Sequence, residues 1–304
     1  MRILYIFPHP DDESFGPARA MAAQRRQGDD VYLLTLTRGE ATKVRHKFGW
    51  TLEQMGEARY RELSNVKTTL DLNDIRVLNL PDGGLQELDP WTIEKSIRDE
   101  VLRIEPHVIV TFPIHGISGF PDHVVTHFAV TRVYLELQGP EHPWLQRLAF
   151  FTVVSAPAEF PWHVNVTAPA QIDCAFQVKD SDMDLFHKSL DCYVTYADVI
   201  ARTKVHQVFD RNVHFELFRE DQKPPFKDLS EGLVTSLIAP PGREEPASGR
   251  ETRAAKAPDA VRRVHWHPLE FAQIDQISGG IWEAAGDAGR GFRRIYHDGE
   301  RRPF

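Results

Sequence analysis

Through its first half the chain alternates short, almost wholly apolar runs with longer amphipathic ones, and that alternation restricts the fold more than any other feature. Apolar runs at 2–7, 31–36, 75–78, 108–112 and 148–154 are rich in Ile, Val, Leu and Phe and lack a clean polar alternation. Strands of that kind are buried on both faces. Between them, 16–27, 52–70, 91–104 and 122–137 carry helical periodicity, with Thr51 placed to cap the second of these helices. The resulting order, β-α-β-α-β-α-β-α-β, predicts parallel strands joined by crossover helices.

The fold class expected is therefore α/β: a Rossmann-like, doubly wound, mostly parallel sheet with helices on both faces. In open sheets of this type, ligands sit outside the carboxyl ends of the strands. Three polar segments fall there, 9–13 after the first strand, 37–40 after the second and 115–123 after the fourth. They converge on one rim before any motif is considered.

The chain has 304 residues, enough for one large or two ordinary domains. A main domain is expected over 1–222 and a C-terminal extension over 223–304, because the texture changes near residue 220. The segment 239–260 is Pro-, Gly-, Ala- and charge-rich, as flexible connections are. Beyond it, His265, Trp266 and His267 form an HWHP segment that reads as a surface loop more readily than as a second metal site. The net charge of −8 argues against nucleic acid as a partner, since a phosphate backbone favours basic surfaces. No apolar run approaches the ~18 residues of a membrane span. Cys174 and Cys192 are too few for a disulfide framework, which suits a cytoplasmic protein. A homo-oligomer is compatible with this composition.

The densest chemistry is His9-Pro10-Asp11-Asp12-Glu13. Imidazole and carboxylate suit Zn2+ or another divalent first-row metal, and a spare carboxylate can take a proton from a metal-bound water. The plainer alternative is a polar loop whose acids favour the following helix dipole. A second cluster ends in Asp122-His123, with His127 one turn on. The pair does not form a zinc-protease helix, because Val124 stands where that motif needs Glu. His123 at the helix mouth can instead be a third protein ligand; His127 reads better as a structural residue.

PHPDDE at 8–13, LTRGEA at 36–41, ARYRE at 58–62, LPDGGL at 80–85 and GFPDH at 119–123 together resemble the LmbE-like, or PIG-L, family of metal-dependent N-deacetylases. The five segments occur in family order over roughly the first 140 residues and, more loosely, the resemblance extends to about residue 220. It implies that His9, Asp12 and His123 hold Zn2+, with Fe2+ accepted by the same ligands, and that Asp11 is the general base. It further implies hydrolysis of the N-acetyl group of an N-acetylglucosamine-type amino sugar or its small conjugate. Arg59 stands where relatives place an arginine that contacts substrate, and Asp82 and Glu40 are candidates to face the same pocket. Arg59 with Glu62 also reads as a helix-surface ion pair, and Lys188 and Tyr193 are weaker candidates for a sugar rim.

One position departs from the family. Where relatives carry the first His of HPDH, this chain has Phe120. A phenyl ring neither donates a proton nor hydrogen-bonds an oxyanion. His115, five residues earlier, is the expected substitute. The competing readings are a catalytically weakened carbohydrate-binding or regulatory protein of the same fold and, behind it, a metal-dependent phosphoesterase, which would need basic phosphate contacts that the acidic balance does not favour.

Overall fold

The computed structural model describes residues 1–156, 160–161 and 163–237, together with two short strands at 282–283 and 293–294. It separates into two units, Met1–Pro240 and Pro241–Phe304. In the second, Trp282 and Glu283 pair antiparallel with Arg294 and Arg293. The segment 239–260 expected to be flexible, and the HWHP segment, lie outside the described residues.

The first unit is built on β1 (Arg2–Phe7), β2 (Asp30–Thr37), β3 (Asp74–Leu80), β4 (Val108–Thr111), β5 (Arg147–Thr152), β6 (Cys174–Gln177) and β7 (Asn212–Leu217). They form one sheet in the order β3-β2-β1-β4-β5-β7-β6. The first five are mutually parallel, whereas β7 runs antiparallel to both β5 and β6. Helices α1 (Ala18–Gln27), α2 (Arg45–Phe48), α3 (Leu52–Thr69), α4 (Pro90–Ile104), α5 (Pro121–Leu137), α6 (Asp180–Asp191), α7 (Ala197–Thr203) and α8 (Val205–Val208) lie between the strands. The predicted α/β, mostly parallel sheet is present.

Successive side chains of a strand point to opposite faces, and both faces here are apolar. Ile3, Tyr5 and Phe7 of β1 join Val31, Leu33, Val108, Val110 and Phe151 on one side, under Ala23, Leu63, Val66, Phe186 and Leu190. Leu4 and Ile6 join Leu34, Leu36, Ile109, Leu148 and Phe150 on the other, under Ile93, Ile97, Val101, Val130 and Val133. Double-sided burial is why these strands read as unbroken apolar runs, and each fully buried large side chain contributes about 1.5–3 kcal/mol.

The local signals explain the helix ends. Thr51 Oγ1 accepts from the Gln54 amide at 3.2 Å while Gln54 Oε1 accepts from the Thr51 amide at 3.0 Å, a reciprocal cap at the start of α3. Gly28, at φ 94°, terminates α1 in the left-handed region that glycine adopts without strain. Helix α5 opens with Pro121 in its first turn and Phe120 as a cap residue whose side chain bonds nothing there.

The antiparallel β7–β6 edge lies outside the predicted five strands. Strand β6 has four residues, too few for a periodic pattern, and it pairs only after the chain has crossed α6 to α8. Residues past 222 also pack into this unit: the Phe226 amide donates to Asp173 O at 2.9 Å, and Leu229 is buried.

Strand order reverses between β1 and β4, so their outgoing loops part to opposite sides and leave a crevice at the carboxyl edge. The first carries His9 to Glu13; the second carries His115 to Phe120 and leads into the first turn of α5, which holds His123.

Candidate metal centre

The loop after β1 turns sharply at Asp11, whose φ of 101° is rare for a residue with a Cβ. Its carbonyl accepts from the Ser14 and Phe15 amides at 2.8 and 2.9 Å, and its own amide donates to Glu13 Oε2 at 3.1 Å. The turn sends two adjacent carboxylates to different partners. Asp12 faces His9 and His123; Asp11 faces Arg59.

His9, Asp12 and His123 place one candidate ligand atom each within 4.8 Å of one another. Asp12 Oδ2 lies 3.4 Å from His9 Nδ1, and Asp12 Oδ1 lies 3.3 Å from His123 Nε2. The two imidazole centroids are 5.3 Å apart. Two ring nitrogens and a carboxylate oxygen are the donor set of a zinc or ferrous site that keeps a place for water.

The surroundings orient these ligands. His123 Nδ1 donates to the Gly116 carbonyl at 3.0 Å, which leaves Nε2 with its lone pair toward Asp12. Its ring stacks on Phe112 at 4.6 Å, and burial lowers its pKa, favouring the neutral form that binds metal. Gly116 sits at φ 61°, and a Cβ there would fall 2.8 Å from His123 Cβ. His9 presents its other nitrogen, Nε2, to Asp82 Oδ1 and Asp122 Oδ2, each at 3.1 Å. Burial alone would raise the Asp12 pKa, but His123 and His9 outweigh it and hold the carboxylate ionised.

The other predicted site residues take several positions. Asp82 backs His9, and its Oδ2 accepts from the Ala41 amide at 2.7 Å. Glu40 Oε1 accepts from the Asp82 amide at 3.2 Å, so Glu40 and Asp82 clasp the loops after β2 and β3 together. Glu40 Oε2 is buried without a hydrogen-bond partner. Asp122, 2% exposed, accepts from the Gly83 and Leu85 amides at 2.8 and 3.2 Å besides facing His9.

Arg59 is 1% exposed. Its Nη2 lies 2.8 Å from Asp11 Oδ2 and also donates to the Pro10 carbonyl. The Tyr196 ring lies 4.0 Å from the guanidinium carbon and the Tyr193 ring 5.2 Å from it. Glu62 is buried as well, accepting from the Thr195 amide and hydroxyl at 2.7 and 2.8 Å. Neither residue belongs to a helix-surface ion pair. Tyr193, 1% exposed, donates to Glu13 Oε1; Lys188 is exposed on α6. Burial pushes the Asp11 pKa up to about 7 against the lowering pull of Arg59, a value suited to both taking and giving a proton near neutrality.

His115 is held by its own chain at both nitrogens. Nδ1 accepts from the Ile117 amide at 3.1 Å, and Nε2 reaches Thr167 Oγ1 at 3.2 Å, which in turn donates to Glu216 at 2.6 Å. Burial pushes its pKa down to about 4, so the ring is neutral at physiological pH. His127 donates Nδ1 to the Phe112 carbonyl at 2.9 Å, a structural contact. Phe120 is 58% exposed, its ring 5.9 Å from that of His123. The turn carrying Tyr193, Thr195 and Tyr196 was not foreseen as a whole, because short 3-10 turns carry no periodic signature.

The chain is similar to several known proteins. The family model described as PIG-L, GlcNAc-PI de-N-acetylase, matches residues 4–134. Over these residues the chain is similar to the PIG-L family. A 1D-myo-inositol 2-acetamido-2-deoxy-alpha-D-glucopyranoside deacetylase of Kineococcus radiotolerans is 32% identical over 165 residues, covering 45% of this chain and 46% of that protein. A "Probable N-acetyl-alpha-D-glucosaminyl L-malate deacetylase 2" of Bacillus subtilis is 33% identical over 143 residues, covering 46% of this chain and 64% of that protein. The chain thus spans about half to just under two thirds of these relatives' own length. A solved deacetylase of teicoplanin biosynthesis superposes with a TM-score of 0.57 at 16% identity, over 73% of this chain and 99% of that one, a likeness of fold. The PIG-L segment contains all three candidate ligands, Asp11 and Arg59, and ends before Tyr193 and Tyr196.

Proposed function

We propose that the protein is a zinc-dependent N-deacetylase of small N-acetylglucosamine conjugates, acting in the cytoplasm. The observation that carries this reading is the convergence of His9 and Asp12, from the loop after β1, with His123, from the first turn of α5, at the sheet's switch point, with Asp11 turned aside toward Arg59. The named relatives, which are deacetylases of glucosaminyl-inositol and glucosaminyl-malate compounds, support the substrate class. The free Cys174 and Cys192 suit a reducing compartment.

His9, Asp12 and His123 would hold the zinc ion, which when bound would supply a water acidified toward a pKa of ~7 and a Lewis acid for the acetamide carbonyl. Asp11 takes the proton as the water oxygen attacks that carbonyl. When the carbon–nitrogen bond breaks, the nitrogen needs a proton, and acetate and a free amine leave. With Phe120 unable to donate and His115 committed to Thr167, Asp11 returns the proton it took, serving as base and then as acid. His9 and His123 would bind the ion through neutral rings, oriented by Asp82 and Asp122 and by the Gly116 carbonyl, and His9 would give up a proton on loading, since its carboxylate neighbours raise its pKa without metal.

The test strips metal with a chelator, restores Zn2+ or Fe2+, and assays free amine and acetate from N-acetylglucosaminyl inositol, malate and simple alkyl glycosides. Metal-restored release from at least one conjugate is expected. Tight sugar binding with no turnover under either metal would overturn the enzymatic reading in favour of a binding protein.

A further inference from the structure

Asp11 and Asp12 are adjacent carboxylates in a buried loop, and a divalent cation draws in any carboxylate that reaches it. A cation with every place filled by protein has none left for water. Only Asp12 joins His9 and His123 within 4.8 Å; Asp11 belongs to no such group among the described residues. What separates them is physical and specific. The φ of 101° at Asp11 turns its side chain off the path of Asp12. Arg59 Nη2 then ties Asp11 Oδ2 at 2.8 Å and the Pro10 carbonyl beside it.

Arg59 is itself immobilised. It is 1% exposed and flanked by the rings of Tyr196 and Tyr193. Gly39 covers it so closely that a Cβ there would lie 2.9 Å from Arg59 Nε. Tyr196 is fixed in turn by its hydroxyl on Thr42 Oγ1 at 2.7 Å, and the same turn is anchored to α3 by Glu62 on Thr195. The guanidinium is thus held by packing and by its Nη2 contacts to Asp11 and Pro10, its Nε and Nη1 having no hydrogen-bond partner.

We infer that Arg59 is a positioning residue that keeps Asp11 out of the coordination shell of an ion carried by His9, Asp12 and His123. This rests on the metal reading above and goes beyond it by assigning Arg59 to the base rather than to substrate. Released from Arg59, Asp11 is a buried, unpaired carboxylate next to a dication, and it becomes a ligand. The metal then binds more tightly and the water has lost its place and its base together.

The experiment is a double-mutant cycle read by metal binding, independent of any substrate. Zn2+ affinity is measured by competition with a chromophoric chelator, and Co2+ is added to the metal-free protein to record its visible absorption. Arg59→Met is expected to bind Zn2+ more tightly, on the order of tenfold, with an altered Co2+ band. In Asp11→Asn/Arg59→Met, both are expected to return to the values of Asp11→Asn. Arg59→Lys, which keeps a charge in the site, is expected to melt near the wild type and to shift affinity in the same direction by less; it decides the matter if Arg59→Met does not fold. Unchanged or weaker Zn2+ binding with an unaltered Co2+ band overturns the inference, as does a gain that persists without the Asp11 carboxylate. A wild type that binds no Zn2+ overturns the metal reading itself, an outcome separate from these.

Discussion

Tyr193 donates its hydroxyl to Glu13 Oε1 at 2.7 Å, a contact between two side chains 180 residues apart in sequence, both shut off from solvent. Glu13 also accepts from Ser14 Oγ at 2.7 Å and from the Asp11 amide, so this one carboxylate ties the turn bearing Asp11 to the segment after α6. Burial raises the Glu13 pKa despite these donors. Tyr193→Phe leaves that carboxylate short of a donor while preserving the ring, and is expected to cost about 1–3 kcal/mol of stability. Urea unfolding of the two proteins measures it, and an unchanged midpoint would show that the bond is immaterial.

Removing the base and removing a ligand have different signatures. Asp11→Asn is expected to retain one Zn2+ per chain and to lose about 100-fold or more in turnover. His123→Ala is expected to lose the metal as well, since an Ala side chain brings no donor to the set. Metal analysis of the purified variants beside the amine-release assay distinguishes them, and equal metal loss in both would reverse the roles assigned to these residues.

The close approach of Gly116 to His123 gives a test that touches no ligand atom. Gly116→Ala combines a left-handed φ of 61° with a Cβ 2.8 Å from His123 Cβ, so either the loop or the imidazole must move. Zinc affinity is expected to fall by about 10- to 100-fold, the usual scale for disturbing a residue that orients a ligand. Chelator competition reads the change directly; wild-type affinity would mean that the loop yields without moving the ring.

Phe120→His restores a proton donor at the start of α5. Phe120 is 58% exposed and makes no capping bond, so the substitution is tolerated by the fold. Turnover is expected to be no lower than wild type and higher if the new imidazole reaches the leaving nitrogen. A steep fall in kcat at unchanged metal content would assign the phenyl ring to the shape of the pocket.

Acid sensitivity follows from His127, whose pKa burial pushes down to about 4. The unfolded chain binds a proton at ~6.5 and the folded chain does not, so unfolding takes up a proton between those values. The stability is therefore fully present above ~6.5 and is lost as pH falls, by up to ~1.4 kcal/mol per pH unit from this group. His127→Gln is expected to flatten that slope. Urea midpoints taken near neutrality and near pH ~5 compare the two proteins, and parallel slopes would remove His127 from the account.

The strands from β1 to β5 were legible because burial on both faces writes a continuous apolar run, and α3 because Thr51 and Gln54 spell its cap. The β6–β7 edge was not, since a four-residue strand leaves no period and its partner lies 35 residues or more away in the chain. Within the site, the composition of 9–13 announced a metal-capable loop. It did not announce which carboxylate faces which partner, because that depends on a single backbone angle at Asp11. Arg59 illustrates the same limit. Its helix position reads as a substrate contact or a surface ion pair, whereas the Tyr193–Tyr196 turn, arriving from far downstream, covers it.

That late arrival bears on how the protein is made. A ribosome that has released residue 134 has already produced the whole PIG-L segment, ligands included, yet Glu13 still awaits Tyr193, Glu62 awaits Thr195, and β5 has neither formed nor met β7. Glu13 therefore has only its local donors, Ser14 and the Asp11 amide, until the Tyr193–Tyr196 turn emerges. Arg59 is already present in that interval to pair with Asp11, but the Tyr193 and Tyr196 rings that enclose its guanidinium are not.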